Sequence, residues 1–143
     1  MYQTIPQIFS KIAQRWHATA AQMYKTRSGA FNSVTYAELE REVESLAAAL
    51  SHLGIRRGDA VGLISDNRKE WLASDLAILS LGAADVPRGR DAMPYEVSFI
   101  LSTTEAACCF VENEGQLHKV LALASNLPLL KTLIVMDEEY EGP

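Results

Sequence analysis

GDAVGLISDNRKEWLASDLAILSLGAADV, residues 58–86, spells strand, turn, helix and second strand in that order. Val61 to Ile64 is a short apolar run between turn residues, the pattern of a strand covered on both faces. Ser65-Asp66-Asn67 supplies N-cap chemistry, and Asn67 with Glu70 has the spacing of a capping box. Leu72, Leu76 and Leu79 then recur at helical intervals up to Gly82, placed for a left-handed C-cap, and the next strand, Ala83 to Val86, is expected to stop at Pro87. A crossover of this length returns the second strand parallel to the first, which selects an open sheet with helices on both faces.

Downstream the alternation repeats. Pro94 opens a helix with Val97, Ile100 and Leu101 facing inward, and Ala107 to Val111 reads as a third strand. Leu117, Val120, Leu121 and Ala124 mark a further helix, Pro128 interrupts, and Leu133 to Met136 forms a fourth strand. The simplest arrangement with right-handed crossovers puts the strand after Gly58 in the middle, in the spatial order 2-1-3-4. The fold class is therefore α/β, a doubly wound, mostly parallel sheet forming a flavodoxin-like half.

Upstream, Thr4-Ile5-Pro6-Gln7 has capping-box spacing before an apolar stripe of Ile8, Phe9, Ile12, Ala13 and Trp16. The irregular stretch from Ala21 to Val34, with Thr26-Arg27-Ser28-Gly29 at its centre, predicts a β-hairpin turning near Gly29. Thr35 and Glu38 make another capping box, ahead of Leu39, Val43, Leu46, Ala47, Leu50 and Leu53 along one side of a second helix that Gly54 ends. Residues 1–143 then form a single domain: helix, hairpin and helix over 1–53, alternating strands and helices over 54–137, and a tail at 138–143.

A chain of 143 residues with 48% hydrophobic content can bury a sizeable core. No apolar run reaches the ~20 residues that a membrane helix needs, so no transmembrane segment is expected. The net charge of −5 and the acidic cluster Asp137, Glu138, Glu139 and Glu141 offer no basic stripe for a duplex, which argues against a nucleic-acid partner. Without a secretory pattern after Met1, the expected location is cytoplasmic. Adjacent Cys108 and Cys109 point to opposite faces of a strand and read as core thiols rather than a disulfide or chelate.

Sites of chemistry are few. Neither GxxxxGK[ST] nor GxGxxG after a strand occurs, and Gly54, Gly58 and Gly62 read as turn punctuation. His17, His52 and His118 fall on three different predicted helices, so no metal site is expected. Two loops sit past the carboxyl ends of strands, where doubly wound sheets bind ligands: Ser65-Asp66-Asn67-Arg68 and Pro87-Arg88-Gly89-Arg90-Asp91. Arg88 and Arg90 are the ligand-contact candidates, since guanidinium groups hold phosphate, although they could equally pair with Asp91 or with a neighbouring domain. For Asp66 and Asn67 helix capping is the stronger reading.

Thr35-Tyr36-Ala37-Glu38-Leu39, Leu53-Gly54-Ile55-Arg56-Arg57-Gly58-Asp59-Ala60-Val61, Asn67-Arg68-Lys69-Glu70-Trp71 and Ala77-Ile78-Leu79-Ser80-Leu81-Gly82-Ala83, in this order, resemble the opening of an AMP-forming acyl-CoA synthetase. The resemblance runs from about Thr4 to Met136. Asn-Arg-x-Glu-Trp at Asn67 to Trp71, followed by Asp85-Val86-Pro87-Arg88-Gly89, resembles the long-chain fatty-acid branch. Such enzymes join a carboxylate to ATP, releasing pyrophosphate, and CoA then displaces AMP from the acyl-adenylate; magnesium assists. The resemblance implies that the phosphate loop, adenine segment, ribose-binding aspartate and C-terminal lysine lie beyond this chain. No catalytic residue and no metal ligand is carried over, no cofactor is expected within the piece, and ATP, Mg and CoA belong to the full-length parent. The implied partners are the rest of the ligase chain and a fatty acid as the parent's substrate. Gly142-Pro143 would then be a cut in a longer chain, and a piece with an open strand edge and the first-helix stripe Ile8, Phe9, Ile12 and Trp16 uncovered is expected to form a homo-oligomer. The alternatives are a stand-alone flavodoxin-like binding or receiver module, an interaction-only scaffold, and the same segment of another acyl-adenylate-forming enzyme. A receiver is the weaker reading, because Asp66 stands alone after the first strand and no Lys follows Met136.

Overall fold

A computed structural model describes residues 4–26 and 28–142. Met1–Gln3, Arg27 at the expected hairpin turn and Pro143 at the expected cut lie outside the described residues. The elements run α1 (Ile5–Arg15), β1 (Ala20–Lys25), β2 (Phe31–Thr35), α2 (Tyr36–His52), β3 (Ala60–Ile64), α3 (Lys69–Ser80), β4 (Ala84–Arg88), α4 (Pro94–Thr103), β5 (Cys108–Val111), α5 (Glu114–Leu121) and β6 (Thr132–Val135), with a single 3₁₀ turn at Ala124–Asn126.

The βαβ unit forms as its sequence requires: β3 pairs in parallel with β4 on one side and with β5 on the other, and β5 pairs in parallel with β6. The order β4-β3-β5-β6 is the expected 2-1-3-4. Alternation along the central strands sends Val61, Leu63, Cys108 and Phe110 into a core with α2 and α3. Ile64, Cys109 and Val111 enter a second core with α4 and α5. The two cysteines are thus split between opposite faces, both buried and both free. Burial drives the Cys108 thiol up to about 11 and the Cys109 thiol further in the same direction, so neither is a thiolate near neutral pH. At Gly62 a Cβ would meet Cys109 Sγ at 2.6 Å and Leu101 Cδ2 at 2.7 Å, so this glycine is what lets α4 close on the sheet.

Several local expectations are corrected. Asn67 does not cap α3; Arg68 is the N-cap residue, with no side-chain cap bond. Glu70 therefore sits at the second helical position and engages Arg68 and Lys69 instead of reaching back. Strand β4 does not stop at Pro87 but runs through it to Arg88. The physical reason is its edge position. Ala84 N–H donates to Asp59 O at 2.8 Å and Ser65 N–H donates to Arg88 O at 3.0 Å, so by alternation Pro87's missing N–H faces the open side, where proline is tolerated. The second-helix stripe is shorter than expected. Leu39, Val43 and Leu50 are buried, whereas Leu53 lies beyond the last helical residue and is exposed. Helix α5 ends at Leu121, which is exposed, and Ala124 belongs to the 3₁₀ turn. On α1 only Ala13 is fully buried, Phe9 packs against the α2–α3 core, and Ile8, Ile12 and Trp16 stay exposed. The hairpin forms as expected, antiparallel between β1 and β2, with Gly29 at φ +87° in the turn.

Candidate functional site

The strand order reverses between β3 and β5, and their carboxyl ends bound the crevice where open α/β sheets hold ligands. Here that point is filled from within. Glu112, immediately after β5, is buried, and its carboxylate accepts from the Asp66 backbone N–H at 2.8 Å. Longer contacts at 3.4 Å come from Ser65 Oγ and Arg90 Nη1. Asp66 in turn holds Arg90, through the Arg90 Nε at 2.8 Å and the Arg90 backbone N–H at 3.3 Å. Arg68 Nη1 donates to Glu112 O at 3.2 Å and its Nε to Glu70 at 2.6 Å. From α5, Lys119 Nζ donates to Arg90 O at 2.7 Å and Ala92 O at 3.0 Å, which pins the loop after β4 onto the strand ends.

The two arginine candidates therefore separate. Arg90 is occupied by Asp66 and Glu112. Arg88 donates to Pro87 O and has no carboxylate within ion-pair distance among the described residues. It lines a shallow hollow of about 630 Å³ together with Ser65, Asp66, Asn67, Trp71, Pro87 and Gly89. A guanidinium lining a hollow at the end of a parallel sheet can accept an anion. Asp91 pairs with neither arginine among the described residues; its carboxylate instead lies against Gly89, 2.6 Å from where a Cβ would stand. Glu112 and Lys119, which do most to shape the site, were not singled out by spacing. A carboxylate ending the apolar run Cys108 to Val111 was the available signal for Glu112; Lys119 reads in the sequence as one more solvated helix cation.

A larger hollow of about 810 Å³ lies between β1, the start of α3 and Asp137–Glu139. Lys69 and Glu70 are both paired within it. Lys69 Nζ reaches Glu138 at 2.9 Å and lies 5.3 Å from the centre of the Tyr24 ring. That hydrogen bond, against a partial burial cost, raises the Lys69 pKa above its ordinary value. Burial pulls the Glu70 carboxyl upward, but the Arg68 hydrogen bond and the nearby cations outweigh it and hold the group below its usual range. The strand-end crevice is the better candidate, because its position follows from the topology.

His17 lies in the turn after α1 rather than on a helix, His52 ends α2 and His118 is on α5, all three exposed, and no three His, Cys, Asp or Glu side chains converge on a common point among the described residues.

The family model described as "AMP-binding enzyme" matches residues 9–142. Among curated relatives, the long-chain-fatty-acid–CoA ligase FadD15 of Mycobacterium tuberculosis is 32% identical over 106 residues, which is 74% of this chain and 18% of that protein. The long-chain-fatty-acid–CoA ligase heimdall of Drosophila melanogaster is 26% identical over 98% of this chain and 21% of its own length. Among solved structures, the acetoacetyl-CoA synthetase of Streptomyces lividans superposes with a TM-score of 0.87 at 26% identity, covering 98% of this chain and 23% of that one. The chain spans about a fifth of the length of the curated relatives it matches.

Proposed function

The chain belongs to the AMP-binding enzyme family, and from that premise we propose that it is the opening segment of a long-chain fatty-acid–CoA ligase. The observation that carries the reading is the pair of long-chain ligases at 32% and 26% identity, the second matched along nearly all of this chain. The parent's chemistry would be adenylation of a fatty acid with ATP and magnesium, then transfer of the acyl group to CoA in the cytoplasm. This segment contributes no group to either bond change. Its part is structural: the β4-β3-β5-β6 sheet carries the loops at 65–68 and 88–92, the Glu112 network fixes them, and Arg88 is left facing outward as an anion contact.

A chimera tests the proposal. FadD15 in which the matched segment is replaced by this chain should catalyse palmitate-dependent exchange of pyrophosphate into ATP, while this chain alone should give none above a no-protein control. A folded chimera that exchanges with short carboxylates but not with palmitate would overturn the long-chain reading. A folded chimera without exchange for any acid would overturn the scaffold role. Arg88→Ala in the active chimera is expected to raise KM for one anionic substrate and leave the urea midpoint unchanged.

A further inference from the structure

Asp66 stands between the two arginines of the strand-end crevice. It lines the hollow beside Arg88, yet its carboxylate is turned to Arg90, accepting from the Arg90 Nε at 2.8 Å and from the Arg90 backbone N–H at 3.3 Å. The Asp66 and Arg90 side chains are 52% and 57% exposed, so water screens the pair and it is weak. The backbones behind it are held more firmly. Asp66 N–H donates to Glu112 at 2.8 Å, and Lys119 Nζ donates to Arg90 O at 2.7 Å and Ala92 O at 3.0 Å. Arg90 Nη1 keeps one long contact to Glu112 at 3.4 Å. Gly89 leaves the ground between the arginines clear, since a Cβ there would stand 2.6 Å from Asp91 Oδ1 and 3.8 Å from Asp66 Oδ1.

We propose that the Asp66 carboxylate is an internal stand-in for the anion: it occupies Arg90 in the free chain, and a phosphate-type oxyanion entering the hollow displaces it, so that Arg88 and Arg90 close on the same anion. The inference rests on the Arg88 anion contact proposed above and adds a second arginine and its gate. Asp66 offers two oxygens and a single charge, and a carboxylate ligand would bring no more than that to Arg90. A tetrahedral phosphate brings further oxygens and a second charge, enough to take the Arg90 fork while it holds Arg88. With both backbones fixed by Glu112 and Lys119, the exchange is confined to side chains, and Asp66 turns into the solvent it already half meets. Its charge then stays near the bound anion and opposes it, so Asp66 sets the affinity of the site downward.

Titration of the full chain with inorganic pyrophosphate tests this, followed through the Nε–Hε resonances of Arg88 and Arg90. Both resonances should move with one midpoint, and acetate at matched ionic strength should leave Arg90 in place. Asp66→Asn, whose amide oxygen can still accept from the Arg90 N–H, should tighten pyrophosphate binding about two- to fivefold, the range that an exposed ion pair spans. That gain should require Arg90 and vanish when Asp66→Asn is made in an Arg90→Gln background. An equal gain with and without Arg90 would mean that only a nearby charge was removed, and would overturn the exchange. Movement of the Arg88 resonance alone in the parent chain, a readout that needs no variant, would overturn it too. Pyrophosphate binding that Arg88→Ala abolishes but Asp66→Asn leaves unchanged would keep the Arg88 contact and strike the gate alone. Absence of binding by the parent chain and by Asp66→Asn would strike both, while the ligase reading is judged separately by palmitate-dependent exchange in the chimera.

Discussion

Glu112 shows how one buried carboxylate can organise loops that lie far apart in sequence. Its partners come from residues 65, 66 and 90, and it gives the Asp66 N–H an acceptor that solvent cannot readily replace. Glu112→Ala is expected to destabilise by about 1–3 kcal/mol, the cost of stranding a buried donor, and Glu112→Gln by less, since an amide oxygen can still accept. Urea midpoints and hydrogen exchange at the Asp66 amide check that order; equal effects would mean that charge, not the acceptor, matters. A second carboxylate behaves differently. Burial, and then the charge and hydrogen bond of Asp85, push Asp75 on α3 up from 3.8 to about 6. The native state thus binds this proton more tightly than the unfolded chain does. Stability tied to Asp75 is full below about pH 4, the unfolded value, and is lost as the pH rises through about 6. Asp75→Asn should accordingly raise the urea midpoint at pH 7.5 and leave it unchanged at pH 4; a gain of equal size at both would remove the assignment. Neither Glu112 nor Asp75 was evident from spacing, because what singles them out is a partner 46 or 10 positions away.

At the scale of elements, local chemistry was readable where the chain satisfies itself within a turn. The Thr35–Glu38 box forms reciprocally, with Glu38 N–H donating to Thr35 Oγ1 at 3.3 Å and the Glu38 carboxylate accepting from the Thr35 N–H at 2.7 Å. Thr35→Ala should cost ~1 kcal/mol. Leu50→Asp should cost far more, because Leu50 is 1% exposed and a carboxylate there would be buried without a partner. Midpoints in the reverse order would mean that the cap, not the apolar stripe, anchors α2. The same rule misplaces the start of α3, where Asn67 and Glu70 have the right spacing in the wrong register. Arg68 is drawn to Glu112 O and Glu70, and the helix begins one residue later. Glu96 supplies a cap that the sequence reading passed over, accepting from the Met93 N–H at 2.8 Å, and Asn113 another, accepting from Gln116 N–H at 3.1 Å. Parallel order was legible because burial on both faces writes continuous apolar runs. The extent of β4 was not, because a proline's tolerance depends on whether a neighbouring strand lies beside it.

For the molecule as a whole, the two sheet edges differ, and that difference sets what the chain does alone in solution. The β4 edge offers little to a passing strand, since Pro87 has no N–H there and Asp85 adds a charge. The β6 edge carries Thr132 to Val135, all only partly buried, beside an apolar groove of about 470 Å³ between α5 and β6. Leu121 lines that groove and is 51% exposed, and Leu129 nearby is 48% exposed. An open edge next to an apolar groove is a template for strand pairing, so self-association of this chain is expected through β6, away from α1. Light scattering over a dilution series should show mass rising above 15.7 kDa with concentration. Leu121→Lys with Leu129→Lys should hold the chain at the monomer mass without lowering its urea midpoint, since both side chains are half exposed. A monomer at every concentration would show that β6 is already sufficiently protected by its own twist and neighbours. Association that persists in the double variant but disappears with Ile8→Asn and Ile12→Asn would move the contact from β6 to α1.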